Sequence, residues 1–261
     1  MRRFSIEREI MKKLKKILIN ILIAVVIITV LFIAFGRDKE DKIPSGFVNV
    51  KDAIPSIHIN LRYASDFNVT GKRVDGFSKD SQCYLTKQAT EALKLVQNKL
   101  IPMNLSLKLY DCYRPQKATD NFIRWSKNHD ESMKKFFPDV DKKDINFTSE
   151  SPRSRGSSVA VAIVDLGGKD INKTKHNSKS SCIAPFDKRK VGNSLDFGTS
   201  FSCLSPKSHL NNMDITPQAR ANRLLLRGLM SDAGFIPTDR NWWDFTLKNE
   251  PYKNTYFDFN L

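Results

Sequence analysis

The sequence predicts a single α+β domain with a central antiparallel sheet flanked by helices, preceded by one N-terminal transmembrane helix. The first observation is a long apolar run near the N-terminus, followed by a change to ordinary globular composition. The second is that short segments with apolar alternation, typical of strands, are interspersed with amphipathic helical patterns. Beyond the apolar run, roughly 220 residues remain, which is a suitable length for one domain.

The apolar run Ile17–Phe35 contains only Asn20 and Thr29 as polar interruptions. A bilayer core requires about 20 apolar residues of helix, so we predict a membrane anchor over residues 17–36. Seven Lys or Arg precede the run, and the positive-inside rule therefore places residues 1–16 in the cytoplasm as a basic tail. The domain would then lie on the periplasmic side of the inner membrane, held by a single-pass anchor. A cleaved signal peptide is the alternative, since Ala34–Gly36 is a passable cleavage site.

The net charge of +15 is shared unevenly between the tail and the domain. Seven Lys or Arg against two Glu give the first 36 residues +5, which leaves +10 on the remainder. This charge favours anionic partners such as phospholipid head groups or wall polymers, although a solvated basic surface explains it more simply. We expect no nucleic-acid partner, because zinc-finger spacing, aromatic-basic platforms and repeats are all missing from the sequence.

Four cysteines occur, none with C-x-x-C spacing, which argues against a zinc ribbon or a thioredoxin-like site. Export would place them in an oxidising compartment, where disulfides form. Three pairings of Cys83, Cys112, Cys182 and Cys203 are possible. A bridge between Cys182 and Cys203 would close a local loop.

The pattern after the anchor predicts a charged linker over residues 37–53 and the domain over residues 54–261. Alternation predicts strands, and amphipathic apolar patterns predict helices, two of which follow a capping Thr. The predicted strands are Ile54–Tyr63, Leu105–Asp111 and Trp242–Leu247. The predicted helices are Thr86–Asn98, Lys117–Trp125 and Thr216–Ala233, the last with Pro217 as its first residue and Gly234 after its end. The polar segment Gly167–Arg189 is expected to be a surface insertion or a lid loop.

Several blocks of the sequence carry a family resemblance, and they occur in order over almost the whole predicted domain. They are Asn60–Ala64, Asn68–Gly71, Asp111–Pro115, Ser154–Ser157, Leu195–Thr199 with Phe201 and His209, Asn222–Leu225, Ala233–Phe235 and Trp242–Trp243. Together they resemble the VanX-type D-alanyl-D-alanine dipeptidases, zinc enzymes that cleave the terminal dipeptide of bacterial wall precursors.

The resemblance implies a catalytic zinc held by two His and one Asp, with a fourth position open for water. The family motifs are S-x-H-x-x-G-x-x-x-D and E-x-x-H, in which the Glu is the general base. In this sequence the first His position is Arg153, the Asp position is Ala160 and the second His position is Asp244. The base position is Asn241. Because Arg keeps its proton and Ala has no donor atom, we expect no zinc and no other cofactor.

Other residues do not offer a replacement zinc site. Asp165 lies five positions beyond Ala160, and an odd offset on a strand points to the opposite face. The four histidines are His58, His129, His176 and His209, and the last belongs to a family block outside the metal site. We hypothesise instead that Arg153 and Asp244 form an ion pair in the vacated site. The alternative is that both side chains turn to solvent.

Substrate-holding positions are better retained. The resemblance makes Arg114 the oxyanion arginine, Tyr63 and Asp196 the groups for the substrate amino end, and Ser151 the serine before the lost His. Trp242 is expected to line the pocket. The alternatives are core packing for Tyr63 and Trp242, and backbone capping for Arg114 and Asp196.

The sequence therefore predicts a membrane-anchored dipeptidase homologue without zinc or catalysis, which binds D-Ala-D-Ala-containing wall peptides. Two other functions stay open. One is an active D-Ala-D-Ala dipeptidase with an unrecognised site, and the other is an envelope scaffold or interaction protein.

Overall fold

The computed structural model describes residues 2–35, 42–128, 132–142, 145, 147–167, 180–189 and 192–261, and within 2–35 the side chains of residues 11–30. The chain divides into two compact units, Met1–Asp41 and Lys42–Leu261.

The first unit contains one long helix, α1 (Arg2–Phe35). Every described side chain of this helix, from Met11 to Val30, is exposed. Within the residues that the structure describes, no helix is found that is long and apolar enough to cross a membrane. The side chains of residues 31–36 of the predicted span are not among those described. The membrane anchor therefore stays a prediction.

The second unit is an α+β domain, as predicted. Its elements in chain order are β1 (Phe47–Asn49), α2 (Val50–Ala53), β2 (His58–Ile59), β3 (Tyr84–Thr86), α3 (Lys87–Leu100), β4 (Leu105–Asp111), α4 (Gln116–Lys127), β5 (Ser158–Asp165), α5 (Pro217–Asp232), β6 (Phe235–Pro237) and β7 (Asp244–Leu247).

Five of these strands form the main sheet, in the order β2-β4-β5-β7-β6. Neighbouring strands are antiparallel except for β2 and β4, which are parallel. β1 and β3 form a separate two-stranded antiparallel sheet. The predicted central antiparallel sheet is therefore present, with a parallel edge strand and a second small sheet that the sequence patterns did not indicate. Residues Val159 to Val164 of the central strand β5 are completely buried, which accounts for its continuous apolar sequence.

The entry to the domain differs from the prediction. The predicted strand Ile54–Tyr63 is reduced to the two residues of β2, because the chain turns into a 3-10 helix at Arg62–Ala64. The compact unit also begins at Lys42 rather than at Ile54. Residues 42–53 belong to it because Phe47 and Val50 are buried. Residues 37–41 of the predicted linker lie outside the described residues.

The predicted helices are confirmed as α3, α4 and α5, and two of them begin at a capping Thr. Thr86 caps α3 by accepting a hydrogen bond from the Ala89 amide at 3.3 Å. Thr216 caps α5 in the same way, with Pro217 as the first helical residue. Gly234 follows α5 with φ of +88°, a left-handed conformation that glycine adopts without strain.

The cysteines form two disulfides, Cys83–Cys112 and Cys182–Cys203. The second is the local pairing considered from the sequence. The first joins the segment before β3 to the residue after β4. Residues 168–179 of the predicted insertion lie outside the described residues.

Candidate functional site

Two positions of the lost zinc motif, Ala160 and Asp244, lie in one row across the main sheet. Ala160 on β5 is paired with Asp111 on β4 and with Asp244 on β7. Directly opposite residues of neighbouring antiparallel strands point to the same face. Ala160 is completely buried, so two carboxylates flank a buried methyl group on one face of the sheet.

Arg153 is held by a short 3-10 turn, Pro152–Arg155, that precedes β5. The Ser151 hydroxyl starts the turn by accepting a hydrogen bond from the Arg153 amide at 3.3 Å. Gly156 ends it with φ of +76°. A β-carbon at Gly156 would lie 2.2 Å from Cε1 of Phe47, so only glycine fits there. Ser151 therefore positions Arg153 in this structure.

The Arg153 guanidinium connects the two carboxylates. Nη2 forms an ion pair with Oδ1 of Asp244, and Nε lies 3.1 Å from Oδ2 of Asp111. The Arg153 side chain is only 7% exposed. The predicted pair of Arg153 and Asp244 is thus confirmed. Asp111, for which the sequence predicted no role, is the second partner of Arg153.

Asn241 supports Asp244 from the turn before β7. Its Nδ2 donates to Oδ2 of Asp244 at 2.7 Å, and its Oδ1 accepts from the Asp244 amide at 2.9 Å. Both side-chain atoms at the general-base position therefore hold the carboxylate in place. An amide in this arrangement has no proton-accepting role in hydrolysis.

Arg114 shares the Asp111 carboxylate from the other side. Its Nε donates to Oδ2 of Asp111 at 3.1 Å, and its guanidinium lies over the rings of Tyr63, at 4.9 Å, and Phe122, at 4.6 Å. Burial lowers the pKa of Arg114, but the charges of Asp111, Tyr63 and Asp244 and the hydrogen bond to Asp111 together outweigh burial and leave this pKa raised. Burial raises the pKa of the Tyr63 phenol, so this hydroxyl stays protonated. Arg114 remains a cation, and 12% of its side chain is exposed.

The residues present do not fit a zinc ion. The two guanidinium groups of Arg114 and Arg153 already balance the two carboxylates, and neither can ligate a metal. In the part of the chain that the structure describes, no group of three His, Cys, Asp or Glu could hold a metal ion. Asp165 lies at the far end of β5, where it accepts from the Gly167 amide at 2.8 Å. His129 and His176 lie outside the described residues.

Asp196 and Trp242 belong to a neighbouring group of contacts. Oδ1 of Asp196 pairs with Nη2 of Arg189 and accepts from the Gly198 amide at 2.8 Å. Trp242 is buried, stacks on Phe197 at 4.2 Å, and donates from Nε1 to Oγ1 of Thr199 at 2.9 Å. Asp196 therefore has a backbone-capping contact, and Trp242 is a packing residue. Arg189 was missed, since its polar surroundings in the sequence give no sign that it is buried.

A cavity of about 580 Å³ adjoins Asp196 and Arg189. Arg114, Arg153 and Asp244, all within the described residues, are not among those that line it. The predicted site residues are thus brought together as two groups, one around Asp111 and one around Asp196.

Comparison with known proteins shows which family the chain belongs to. A family model described as D-ala-D-ala dipeptidase matches residues 44–173 and 167–261. The chain belongs to the D-Ala-D-Ala dipeptidase family. The resemblance read from the motifs is thereby confirmed over nearly the whole second unit.

Three curated relatives in this family carry the name D-alanyl-D-alanine dipeptidase. The protein from Streptomyces coelicolor is 29% identical over 221 residues, covering 82% of this chain and 98% of the relative. The one from Enterococcus faecalis is 27% identical over 221 residues, with coverage of 82% and 98%. The one from Escherichia coli K12 is 29% identical over 200 residues, with coverage of 77% and 83%.

Proposed function

We propose that this member of the D-Ala-D-Ala dipeptidase family is a membrane-anchored, extracytoplasmic protein that binds wall peptides without hydrolysing them. The observation that carries the proposal is the position of Arg153. Its guanidinium lies between the carboxylates of Asp111 and Asp244, the two residues that pair with the buried Ala160 in the sheet.

The chemistry of the site argues against hydrolysis. A catalytic zinc needs three protein ligands and an open position for water. Of the three family positions, Arg153 cannot lose its proton, Ala160 has no donor atom, and Asp244 is engaged by Arg153 and Asn241. The guanidinium of Arg153 supplies the positive charge that a metal would supply, and the carboxylates of Asp111 and Asp244 are both paired with arginine.

Binding of a peptide is compatible with the same geometry. Arg114 is fixed by Asp111 and by two aromatic rings, so little side-chain entropy is lost when it pairs with a ligand oxygen. Charge-assisted hydrogen bonds from arginine to carboxylate or carbonyl oxygens are stronger than neutral ones. We assign Arg114 as the residue that contacts the peptide.

Two features support an extracytoplasmic location. The apolar run Ile17–Phe35 follows a basic tail, as in single-pass anchors with the N-terminus in the cytoplasm. Both disulfides, Cys83–Cys112 and Cys182–Cys203, are typical of oxidising compartments.

The test uses the full chain purified in mild detergent. Zinc content is measured after equilibration with zinc, hydrolysis of D-Ala-D-Ala is assayed, and peptide binding is measured by calorimetry for the native protein and Arg114→Ala. Arg124→Ala, at an exposed ion pair with Asp75, is the control. We expect no stoichiometric zinc, no turnover, and binding that Arg114→Ala weakens and Arg124→Ala does not. Chelator-sensitive turnover would establish an active dipeptidase, and absence of peptide binding would favour a scaffold.

A further inference from the structure

A groove lies between α5 and the loop that precedes this helix. It holds a cavity of about 270 Å³, and its lining comes from two segments, residues 210–213 and residues 220–227. None of the predicted site residues, all of which the structure describes, lines this cavity. We call this surface the α5 groove and treat it separately from the candidate site.

Two apolar side chains of the α5 groove are exposed, one on each side of the cavity. Met213, on the loop, is 70% exposed, and Leu224, on the helix, is 58% exposed. A single exposed apolar side chain is common on protein surfaces, but two that line one cavity form an apolar recess. This recess can remove an apolar side chain of a partner from water.

Two arginines on the helix side of the groove have donors to spare. Arg220 donates from Nη1 to the Met213 carbonyl at 3.3 Å, and Arg227 donates from Nη1 to Oδ1 of Asn211 at 3.2 Å. Their other guanidinium nitrogens have no partner among the described residues and are not buried. The two arginines are seven residues apart, about 10.5 Å along the helix axis, with Leu224 between them.

The α5 groove contains no carboxylate to balance these cations. Its lining residues, all described, include three arginines and neither Asp nor Glu. The third arginine, Arg223, is buried, and burial lowers its pKa to about 10, which leaves it a cation at neutral pH. Asp214, which follows Met213, is already paired with Lys207 at 3.0 Å. The groove is therefore positive, and its charge complements an acidic partner.

The size of the cavity favours a peptide segment over a small molecule. Small-molecule pockets usually have volumes of about 300–1,000 Å³, and this cavity lies just below that range. A recess of this size accepts one bulky side chain, and single anchoring side chains of this kind dominate the energetics of many protein interfaces. The flanking arginines would then face the residues on either side of the anchor.

We propose that the α5 groove is a docking surface for an acidic segment of a partner protein. An apolar side chain of that segment enters the cavity between Met213 and Leu224, and neighbouring carboxylates pair with Arg220 and Arg227. Arginine suits this role because its guanidinium binds a carboxylate through two parallel hydrogen bonds. The inference does not depend on peptide binding at Arg114, because the two sites share no residue.

The test uses the full chain in nanodiscs of zwitterionic lipid, because free detergent could enter an apolar recess. Three labelled pentapeptides, acetylated and amidated, are compared by fluorescence anisotropy. The first is Asp-Glu-Phe-Glu-Asp, the second has Gly in place of Phe, and the third has Lys in place of all four acidic residues. We expect the first to bind at least about tenfold more tightly than the other two, and its affinity to fall as salt is added.

Variants assign this binding to the α5 groove. Leu224→Glu places a carboxylate in the groove and should weaken binding by at least about tenfold. The matched control is Leu95→Glu on α3, since that leucine is 59% exposed, and it should bind as the native protein does. Arg220→Gln combined with Arg227→Gln should also weaken binding by at least about tenfold, whereas Arg124→Gln, whose side chain is 62% exposed on α4, should not.

Several outcomes would overturn this inference. They are absence of binding by the first peptide, equal binding of the Gly peptide, and native affinity in the Leu224 and double arginine variants. Slower hydrogen exchange of α5 in nanodiscs of anionic lipid, without peptide binding, would identify a membrane contact instead. Dimers detected by light scattering that Leu224→Glu dissociates would identify a second copy of this chain. Each of these results leaves the proposed function standing, because that function is tested at Arg114.

Discussion

Arg153 and Asp244 form an ion pair that joins the turn before β5 to the first residue of β7. The Arg153 side chain is 7% exposed and that of Asp244 is 26% exposed. The second carboxylate on Arg153, that of Asp111, is also buried. Desolvated charges in such a group are tolerated only while each has its partner.

The first prediction concerns the loss of this cation. Arg153→Met leaves Asp111 and Asp244 on the same face of the sheet with one less positive charge between them. Removing one partner of a buried ion pair typically costs about 3–5 kcal/mol, and we expect a loss of this size in the free energy of unfolding. Urea denaturation of the native protein and the variant measures it.

Arg124→Met is the control for this measurement, since the Arg124 and Asp75 side chains are 62% and 50% exposed. Exposed ion pairs contribute less than about 1 kcal/mol. Adding Asp244→Asn to Arg153→Met should restore part of the lost stability. Similar small losses at Arg153 and Arg124 would show that the buried pair contributes little.

The second prediction reverses the substitutions of the zinc motif. The triple variant Arg153→His, Ala160→Asp and Asp244→His supplies two imidazoles and one carboxylate at positions that the sheet register and the ion pair bring together. Three such ligands with one open position are typical of catalytic zinc. We expect one tightly bound zinc per chain, measured by elemental analysis after dialysis.

The variant that retains Ala160 is the control, because it offers only two of the three ligands. After dialysis, this control should contain much less zinc per chain than the triple variant. A folded triple variant without zinc would show that the backbone has moved away from a metal-binding arrangement. Adding Asn241→Glu to the triple variant then tests whether a general base restores hydrolysis.

The sequence predicted the helices well because their signals are local. Thr86 and Thr216 are caps directly before an apolar repeat, and Gly234 follows the second helix. The strands β1 and β2 were missed or overextended because each has only two or three residues. Their partners are remote in the chain, so the pairing leaves no periodic pattern at that length.

The site was also predicted only in part, because some of its contacts leave a signal in the sequence and others do not. The pair of Arg153 and Asp244 followed from two motifs placed side by side. Asp111 is the first residue of the D-x-Y-R-P block. Its position three residues before Arg114 could have indicated that it pairs with an arginine. Nothing marked Arg189, because a polar segment gives no indication of which cation becomes buried against Asp196.

The third prediction concerns the disulfide Cys83–Cys112, which adjoins the site. Cys112 lies between Asp111 and Arg114, so the bridge fixes the end of β4 to the segment before β3. Replacing both cysteines by Ser frees a loop with a sequence separation of 29 residues. Loop-closure entropy predicts a loss of about 3 kcal/mol in the free energy of unfolding.

The matched control replaces Cys182 and Cys203, whose separation is 21 residues. Its stability loss should be similar, at about 3 kcal/mol. Calorimetry should show weaker Arg114-dependent peptide binding only when Cys83 and Cys112 are replaced. Equal weakening in both variants would indicate a general loss of fold instead of a local effect on Arg114.

The last prediction uses His58 on the edge strand β2. Burial lowers its pKa from 6.5, and the charges of Lys108 and Lys51 lower it further. The unfolded chain therefore binds a proton at this residue more readily than the folded chain, and the stability contributed by neutral His58 is lost as the pH falls below 6.5. Urea midpoints at about pH 7.5 and about pH 5.5 should fall less in His58→Gln than in the native protein. His209→Gln, the same substitution elsewhere in the domain, is the control, and an equal fall in all three proteins would refute this role for His58.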